Sequence, residues 1–302
     1  VLGNKGFSLV DDSAYILFDD RYLLVTTDMV RKKTHFPEVM TPWEMGWFAA
    51  AVNLSDIAAM GGEPLGLLLS LGLPKSMDEN QVLEIIRGAR ECVERYDVSI
   101  IGGDTKEHDE VTIGGVAVGV VPKEEILLRI GMKPGDVVAV TGSLGKAGAG
   151  FLALKHGLDG VSFDGLVKPI PRLVEGRGLA ENRLVSTCMD LSDGFVNSLY
   201  QLAEINKVGF LIERDKIPVA RDAFVVAEKL GLDPFSVSMD YGGDYELLVT
   251  LSEENVGEAC DVVGETKLTV VGRVTEGGLN VSFGGRVKKL VNSGFEHFKS
   301  SR

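Results

Sequence analysis

Residues 49 to 60 read Ala49-Ala50-Ala51-Val52-Asn53-Leu54-Ser55-Asp56-Ile57-Ala58-Ala59-Met60, a run of small and apolar residues that holds one carboxylate. Ahead of it, Thr41-Pro42-Trp43-Glu44 reads as a helix opening: Thr41 is the N-cap, Pro42 the first helical residue, and Glu44 completes a capping box. Gly61-Gly62 ends the helix. A helix of this composition is predicted to be buried nearly all round. Asp56 would then carry a large desolvation cost unless a cation or hydrogen-bond donors met it. Asn53, one turn earlier on the same face, is placed to share its site. The competing account is a solvated polar stripe made by Asn53 and Asp56.

The 302 residues, 45% hydrophobic, can bury substantial cores, and the length suits two domains. With 31 basic and 44 acidic residues the formal charge is -13, which repels the phosphates of nucleic acid and anionic membrane surfaces, so neither is expected as a partner. An acidic chain that handles a polyphosphate must bring metal or focused basic groups to it. The three cysteines, Cys92, Cys188 and Cys260, form neither a disulfide framework nor a CxxC pair, and a reducing cytoplasm is the expected setting. Leu65 to Leu73 and Val111 to Val121 are far shorter than the roughly 20 residues that span a bilayer, and they read as buried strands. No basic and apolar leader pattern opens the chain, which starts at Val1 and leaves room for residues ahead of it.

Alternation marks strands over Arg21 to Thr27 and Val111 to Val121, and Ser76-Met77-Asp78-Glu79 opens a second helix with apolar residues from Val82 to Val93. Val121-Pro122 and Met132-Lys133-Pro134-Gly135-Asp136 flank a charged segment, so the domains are predicted as residues 1-125 and 126-302. The second half alternates helices after Gly145, near Pro171 to Asn182 and from Asp193 to Asn206 with strands near 209–212, 246–251 and 268–274. The fold class is α/β, or α+β, in two domains.

Several apolar runs end in small residues and an aspartate: Thr26-Thr27-Asp28, Ile101-Gly102-Gly103-Asp104 and Cys188-Met189-Asp190, with Asp56 on its helix and Asp11-Asp12 near the start. Singly, each is commonly a turn former or a cap. Together they suit Mg²⁺, which takes hard oxygen ligands from one or two carboxylates, phosphate and water. Gly102-Gly103 lets a backbone approach a phosphate, and Asp190-Leu191-Ser192-Asp193-Gly194 sets two carboxylates and a serine ahead of a helix. Thr141-Gly142-Ser143-Leu144-Gly145-Lys146 lacks phosphate-loop spacing and reads as a strand-to-helix turn. No nucleophilic triad or GxSxG elbow emerges. Arg31-Lys32-Lys33 is a basic island just before His35.

These motifs, in this order, together with His35-Phe36, Arg129 ahead of Lys133-Pro134-Gly135-Asp136, and Asp244-Tyr245-Glu246-Leu247-Leu248, resemble the thiamine-monophosphate kinase family over residues 11 to about 298. That family belongs with aminoimidazole ribonucleotide synthetase, selenophosphate synthetase and the hydrogenase maturation dehydratase. The resemblance implies an aminoimidazole-ribonucleotide-synthetase-like fold whose N-terminal domains pair in a homodimer, with ATP bound near that interface. It implies Mg²⁺-dependent in-line transfer of the ATP γ-phosphoryl group to thiamine monophosphate. By matched motif, Asp12, Thr26, Thr27, Asp28, Asp56, Asp104, Asp190 and Asp193 would serve metal; Gly103, Asp104, Arg129 and Ser192 would contact nucleotide; His35 would face substrate. Asp28, Asp56, Asp104 and Asp190 form the implied catalytic set. Such chemistry needs positioning and charge neutralisation more than a covalent nucleophile.

The chain departs from the family pattern on the acceptor side. Val10 stands where glycine is usual, and Gly243 where a glutamate reaches the substrate. Asn292, within Val291-Asn292-Ser293-Gly294-Phe295, falls where a tryptophan lies against the thiamine rings. Tyr241, Glu246 and Phe295 are the nearby substitutes, and the basic loop Arg31 to His35 suits a more anionic acceptor. Alternative readings are therefore a kinase or synthetase of the same superfamily with another substrate, and a nucleotide-binding homologue without turnover. So many buried carboxylates argue against the last.

Overall fold

The computed structural model describes residues 10–291. In chain order the elements are β1 (Ala14–Phe18), β2 (Arg21–Arg31), α1 (Pro42–Ala59), β3 (Glu63–Leu73), α2 (Glu79–Glu94), β4 (Ile100–Glu107), β5 (Thr112–Pro122), β6 (Val137–Thr141), α3 (Lys146–His156), α4 (Asp164–Val167), α5 (Leu173–Glu181) and β7 (Thr187–Asp190). They continue as α6 (Phe195–Asn206), β8 (Gly209–Glu213), α7 (Arg221–Leu230), α8 (Pro234–Asp240), β9 (Leu247–Leu251), α9 (Val256–Val262), β10 (Leu268–Thr275), β11 (Leu279–Phe283) and β12 (Arg286–Lys289). The architecture is mixed α/β with two sheets, each in its own compact unit. The first unit runs to Leu127 and adds Val167–Arg183; the second takes Leu128–Leu166 and the chain from Leu184. The expected cut at 125/126 falls close to the first passage between units, but α5 returns to the first. Among the described residues, no helix is long and apolar enough to cross a membrane.

In the first unit the sheet order is β1-β2-β5-β3-β4, antiparallel except for the β3–β4 pair. Helix α1 lies on one face of it. Its start is fixed by the capping box, in which Thr41 Oγ1 accepts from Glu44 N at 3.3 Å and Glu44 accepts from Thr41 N at 2.7 Å. Its end is fixed by Gly61 at φ +67°. Met45 through Ser55 and Ile57 through Gly62 are buried, and Asp56 between them is half-buried.

Three neighbours enclose α1, and each comes close at a glycine. On β5, alternation buries Ile113, Gly115, Ala117, Gly119 and Val121 on the helix side. A Cβ on Gly115 would meet Asn53 Nδ2 at 2.1 Å, and one on Gly119 would meet Ile57 Cγ2 at 2.9 Å. The α1–α2 crossing uses a reciprocal pair: a Cβ on Gly46 would stand 1.8 Å from Ile85 O, and one on Gly88 1.8 Å from Trp43 O. The third side is closed by α5, where a Cβ on Gly176 would lie 2.1 Å from Ala58 O. The segment leading into α5 is held by Trp47 Nε1 donating to Pro169 O at 2.9 Å and Tyr96 OH donating to Pro171 O at 2.9 Å. Arg177 then pairs with Glu125 and donates to Gly61 O at 3.3 Å.

In the second unit the sheet order is β12-β11-β8-β10-β6-β9-β7, antiparallel except for β8–β11. Strands β6, β7 and β9 are buried throughout. The main core joins Val138, Val140, Phe210, Ile212, Leu248 and Val271 of the sheet to Phe195, Val196, Leu199 and Leu202 of α6. A smaller cluster joins α3, α7 and α8 through Leu152, Ala153, Ala223, Val226 and Val237.

Because the Gly88 contact is with backbone, which cannot step aside, Gly88→Ala is expected to destabilise the protein by about 1–3 kcal/mol despite its better helix propensity. Gly257→Ala on α9, where a Cβ meets nothing within 4 Å, should instead be neutral or stabilising by up to ~1 kcal/mol. Urea unfolding followed by far-UV circular dichroism compares the two.

Candidate active site

The first unit gathers its polar groups where α1 faces β2. Thr26 Oγ1 has two oxygens within donating reach: Asp56 Oδ2 in a short hydrogen bond, and the Asp12 carbonyl at 3.3 Å. A carboxylate oxygen of Asp12 lies within 4.8 Å of one on Asp56. Two carboxylates this close repel unless a cation or a proton is shared between them. Asn53 is fully buried, which rules out a solvated Asn53–Asp56 stripe. Its Nδ2 donates to Ala49 O at 2.8 Å and its Oδ1 accepts from Asp28 N at 3.1 Å, so α1 grips β2 at the aspartate itself.

Strand alternation divides the candidates. Thr26 and Asp28 share the α1 side of β2, whereas Thr27 points to the other face, where its hydroxyl donates to Gly115 O at 2.8 Å. Register carries the division across the sheet: Met29, Gly114, Ser70 and Asp104 lie in one row, so Asp104 sits on Thr27's face. Asp104 is exposed, accepts from Thr105 N at 2.9 Å and lies 3.3 Å from Lys106 Nζ. Gly103 occupies the neighbouring row, where a Cβ would meet Leu69 O at 2.0 Å. Glycine is needed there for strand packing as well as for any ligand.

His35 is half-buried, with Nδ1 2.7 Å from Thr34 Oγ1. The basic island beside it is partly neutralised. Arg31 pairs with Glu110 at 3.4 Å, Lys33 N donates to the same carboxylate at 2.8 Å, and Lys32 lies 3.7 Å from Glu38.

In the second unit Asp190 ends β7 and is 1% exposed, a burial no carboxylate sustains without partners. Ser192 and Asp193 follow on an exposed loop. The N-cap of α6 is Gly194, at φ +96°, and no side chain caps it, so Asp193 is not spent as a helix cap. Arg129 donates to Gln201 Oε1 at 3.2 Å and its carbonyl accepts from Asn206 at 2.8 Å. Gly243, at φ +94°, donates its N–H to Ser192 O at 2.8 Å, and a Cβ on Gly242 would stand 2.2 Å from that carbonyl. The two loops thus pack backbone to backbone. Asn292 lies outside the described residues, as does Phe295.

The Asp244-Tyr245-Glu246 motif serves the turn before α3, a group of contacts that sequence reasoning did not foresee. Asp244 accepts from Gly145 N at 2.5 Å and Ala147 N at 3.0 Å, taking the anion position at that helix N-terminus. Glu246, fully buried, accepts from Thr141 Oγ1 at 2.8 Å and Lys146 Nζ at 2.7 Å. Residues 141 to 146 are therefore a strand-to-helix turn whose Gly145 N–H and Lys146 ammonium already have carboxylate partners. Glu246 is thereby committed, and Tyr241 packs its ring on Phe151 at 6.0 Å between centroids. The signal available in the sequence was the pairing of one lysine after Gly145 with two acids around Tyr245.

The AIR synthase related protein N-terminal domain family matches residues 10–121, and its C-terminal domain family matches residues 133–284. Together they define a two-domain protein of the AIR-synthase-related class. The chain is 35% identical to the thiamine-monophosphate kinase of Pyrococcus horikoshii over 97% of its own length and 91% of the relative's. It is 37% identical to that of Methanospirillum hungatei over 95% and 92%. A solved structure of AaThiL complexed with AMPPCP and TMP superposes with a TM-score of 0.86 at 30% identity, covering 96% of this chain and 93% of that one. The chain belongs to the thiamine-monophosphate kinase family, whose members are phosphotransferases.

Burial raises the Asp244 carboxyl to about 6, against the opposing pull of the Gly145 and Ala147 N–H groups and Lys146. Its ordinary value is 3.8, so between that pH and about 6 the folded protein holds a proton that the unfolded chain has released. The contribution of this residue to stability therefore falls as pH rises through that window, by up to about 3 kcal/mol, and is level above it. Asp244→Asn should flatten this part of the profile. Denaturant unfolding of both proteins from pH 4 to 7 measures the difference.

Proposed function

We propose that this protein transfers the γ-phosphoryl group of ATP directly to thiamine monophosphate, giving thiamine diphosphate and ADP, with Mg²⁺ as the metal. The observation that carries the reading is the close Asp12–Asp56 carboxylate pair beside Thr26, in a chain whose relatives carry the kinase name. A hard oxygen donor set of this kind fits Mg²⁺, which supplies charge neutralisation for the triphosphate. Asp12, Thr26, Asp28, Asp56, Asp190 and Asp193 would hold metal, with Thr27 and Asp104 contributing from the outer face of the first sheet. Gly103, Asp104, Arg129 and Ser192 would position the nucleotide and His35 the acceptor, with Gly243 and Asn292 the other acceptor-side positions matched by motif. In the transfer, an acceptor phosphate oxygen forms the new bond to the γ-phosphorus as the bond to the bridging oxygen breaks towards ADP. That phosphate is already ionised, so no strong base is required.

A homodimer through the first units is part of the proposal. Ile16, Phe18 and Met29, exposed by 43%, 69% and 66%, share the outer face with Thr27 and Asp104, by register and alternation. An apolar face of this kind suits burial against a second copy. The cytoplasmic setting is proposed on the three free cysteines.

A second reading, the same chemistry on a different acceptor, is favoured by one fact. Gly243 brings no carboxylate to a cationic aromatic ligand, and the adjacent Glu246 is held by Lys146 and Thr141.

Purified protein with ATP, Mg²⁺ and thiamine monophosphate is expected to release ADP and thiamine diphosphate in equal amounts. Asp56→Asn should lower kcat by about 10²-fold or more while retaining the folded melting profile. ADP release with another phosphate-bearing metabolite and none with thiamine monophosphate would overturn the acceptor. ATP binding without turnover on any acceptor would favour a regulatory homologue.

A further inference from the structure

The β11–β12 hairpin borders a cleft that the proposed activity does not use. Its volume is about 430 Å³, and Arg214, Val281, Phe283, Gly284, Arg286 and Lys288 line it, a size that suits a small molecule. The hairpin turns on two residues, Gly284 and Gly285, at φ +53° and +74°, as a tight turn of right-handed twist demands. In the resulting register Val281 pairs with Lys288 and Phe283 with Arg286, which places all four on one face.

Arg214, which follows β8 and lines the cleft, is clamped. Its guanidinium lies 4.4 Å from the ring centre of Phe235 and 4.3 Å from that of Phe283, and Nη2 reaches both oxygens of Asp233 at 2.6 Å. Its Nε is buried and has no hydrogen-bond partner among the described residues. Three cations thus converge in a chain of formal charge -13, with Asp233 answering Arg214 alone. Among the described residues neither Arg286 nor Lys288 has an ion-pair partner. Lysine guarding an edge strand would account for Lys288. It does not account for an arginine fixed between two phenyl rings in the lining of the cleft.

The cleft is separate from the loop that carries Asp190 to Asp193. In the sheet order β11 stands five positions from β7, roughly 24 Å at ~4.8 Å per strand.

We propose that this cleft binds a small organic phosphate. Arg286 and Lys288 take the phosphate, Arg214 adds its positive field, and Val281 with the Phe283 ring receives the apolar body. An added peptide strand at the β12 edge would engage backbone groups and leave the Arg286 and Lys288 side chains without an anion, so the small anion is the better occupant.

The test uses the whole protein with methyl-labelled valine, in chelator, so that Mg²⁺-dependent phosphate binding elsewhere is suppressed. Phenyl phosphate and inorganic phosphate are titrated in turn. The expected result is a saturable shift of the Val281 methyl signals, larger than any at Val287 on the opposite face of the hairpin, with phenyl phosphate binding the tighter of the two. The Arg286→Ala/Lys288→Ala double variant, with an unchanged melting temperature, should bind at least roughly tenfold more weakly. A shift that does not saturate at millimolar phenyl phosphate, or that survives unchanged in the double variant, overturns the site. So does saturable binding of an acidic peptide when both phosphates fail. These readouts report binding in metal-free protein, so failure here leaves the kinase reading standing, and failure of the kinase assay leaves this site standing.

Discussion

The burial of α1 is the constraint on which the first unit is built. A helix with apolar residues on every side gains only when each side is covered, and the cover here is assembled from a sheet, from α2 and from α5, a segment more than a hundred residues further along. Each of the three makes its approach through glycine: α2 and α5 bring backbone nearly into contact with the backbone of α1, and β5 leaves room for the Asn53 and Ile57 side chains. The same enclosure produces the chemistry. Asp56 is the one residue between Met45 and Gly62 that keeps partial exposure, and the tight seat of Asn53 over Gly115 lets that asparagine hold β2 at Asp28. The packing that stabilises the helix therefore also aims the aspartates.

A second principle acts on the candidate site through the pleat. Consecutive residues of a strand point to opposite faces, so Thr26, Thr27 and Asp28 cannot all act on one side of the sheet through their side chains. Thr26 and Asp28 belong with α1, while Thr27 and Asp104 belong with the outer, apolar face. A face with both exposed hydrophobic residues and functional candidates makes the oligomeric state part of the question about the active site. In the second unit, carboxylates do different work. Asp244 and Glu246 occupy the α3 N-terminus and Lys146, and so remove from contention the one segment with a superficial likeness to a phosphate loop.

Much of this was legible in the residues. The capping box at Thr41 and Glu44, the stop at Gly61 and the strands of alternating pattern appear where local propensity put them, because caps, left-handed glycines and period-two burial are set within a few residues. Helices α4, α7, α8 and α9 and strands β1, β11 and β12 were not marked. For α7 the apolar spacing of Ala223, Val226 and Ala227 was present but weak in small side chains, and Arg286 to Lys289 carries no alternation because β12 is an exposed edge. The motifs that bind the chain to its family were also visible, since they are short, ordered and rich in aspartate and glycine.

By itself, then, the sequence determined most of its elements, the family, and the set of carboxylates from which a metal–nucleotide site could be made. Only the tertiary structure decided that α5 completes the first unit, that Asn53 is buried against Gly115, that Thr27 turns away from Asp28, and that Glu246 is already paired. The physical reason is the range of the interactions concerned. Propensity and capping act over a few neighbouring residues, whereas a helix's third covering face, a strand's partner and a buried carboxylate's counter-charge come from segments as far as 122 residues away, which no local pattern can specify.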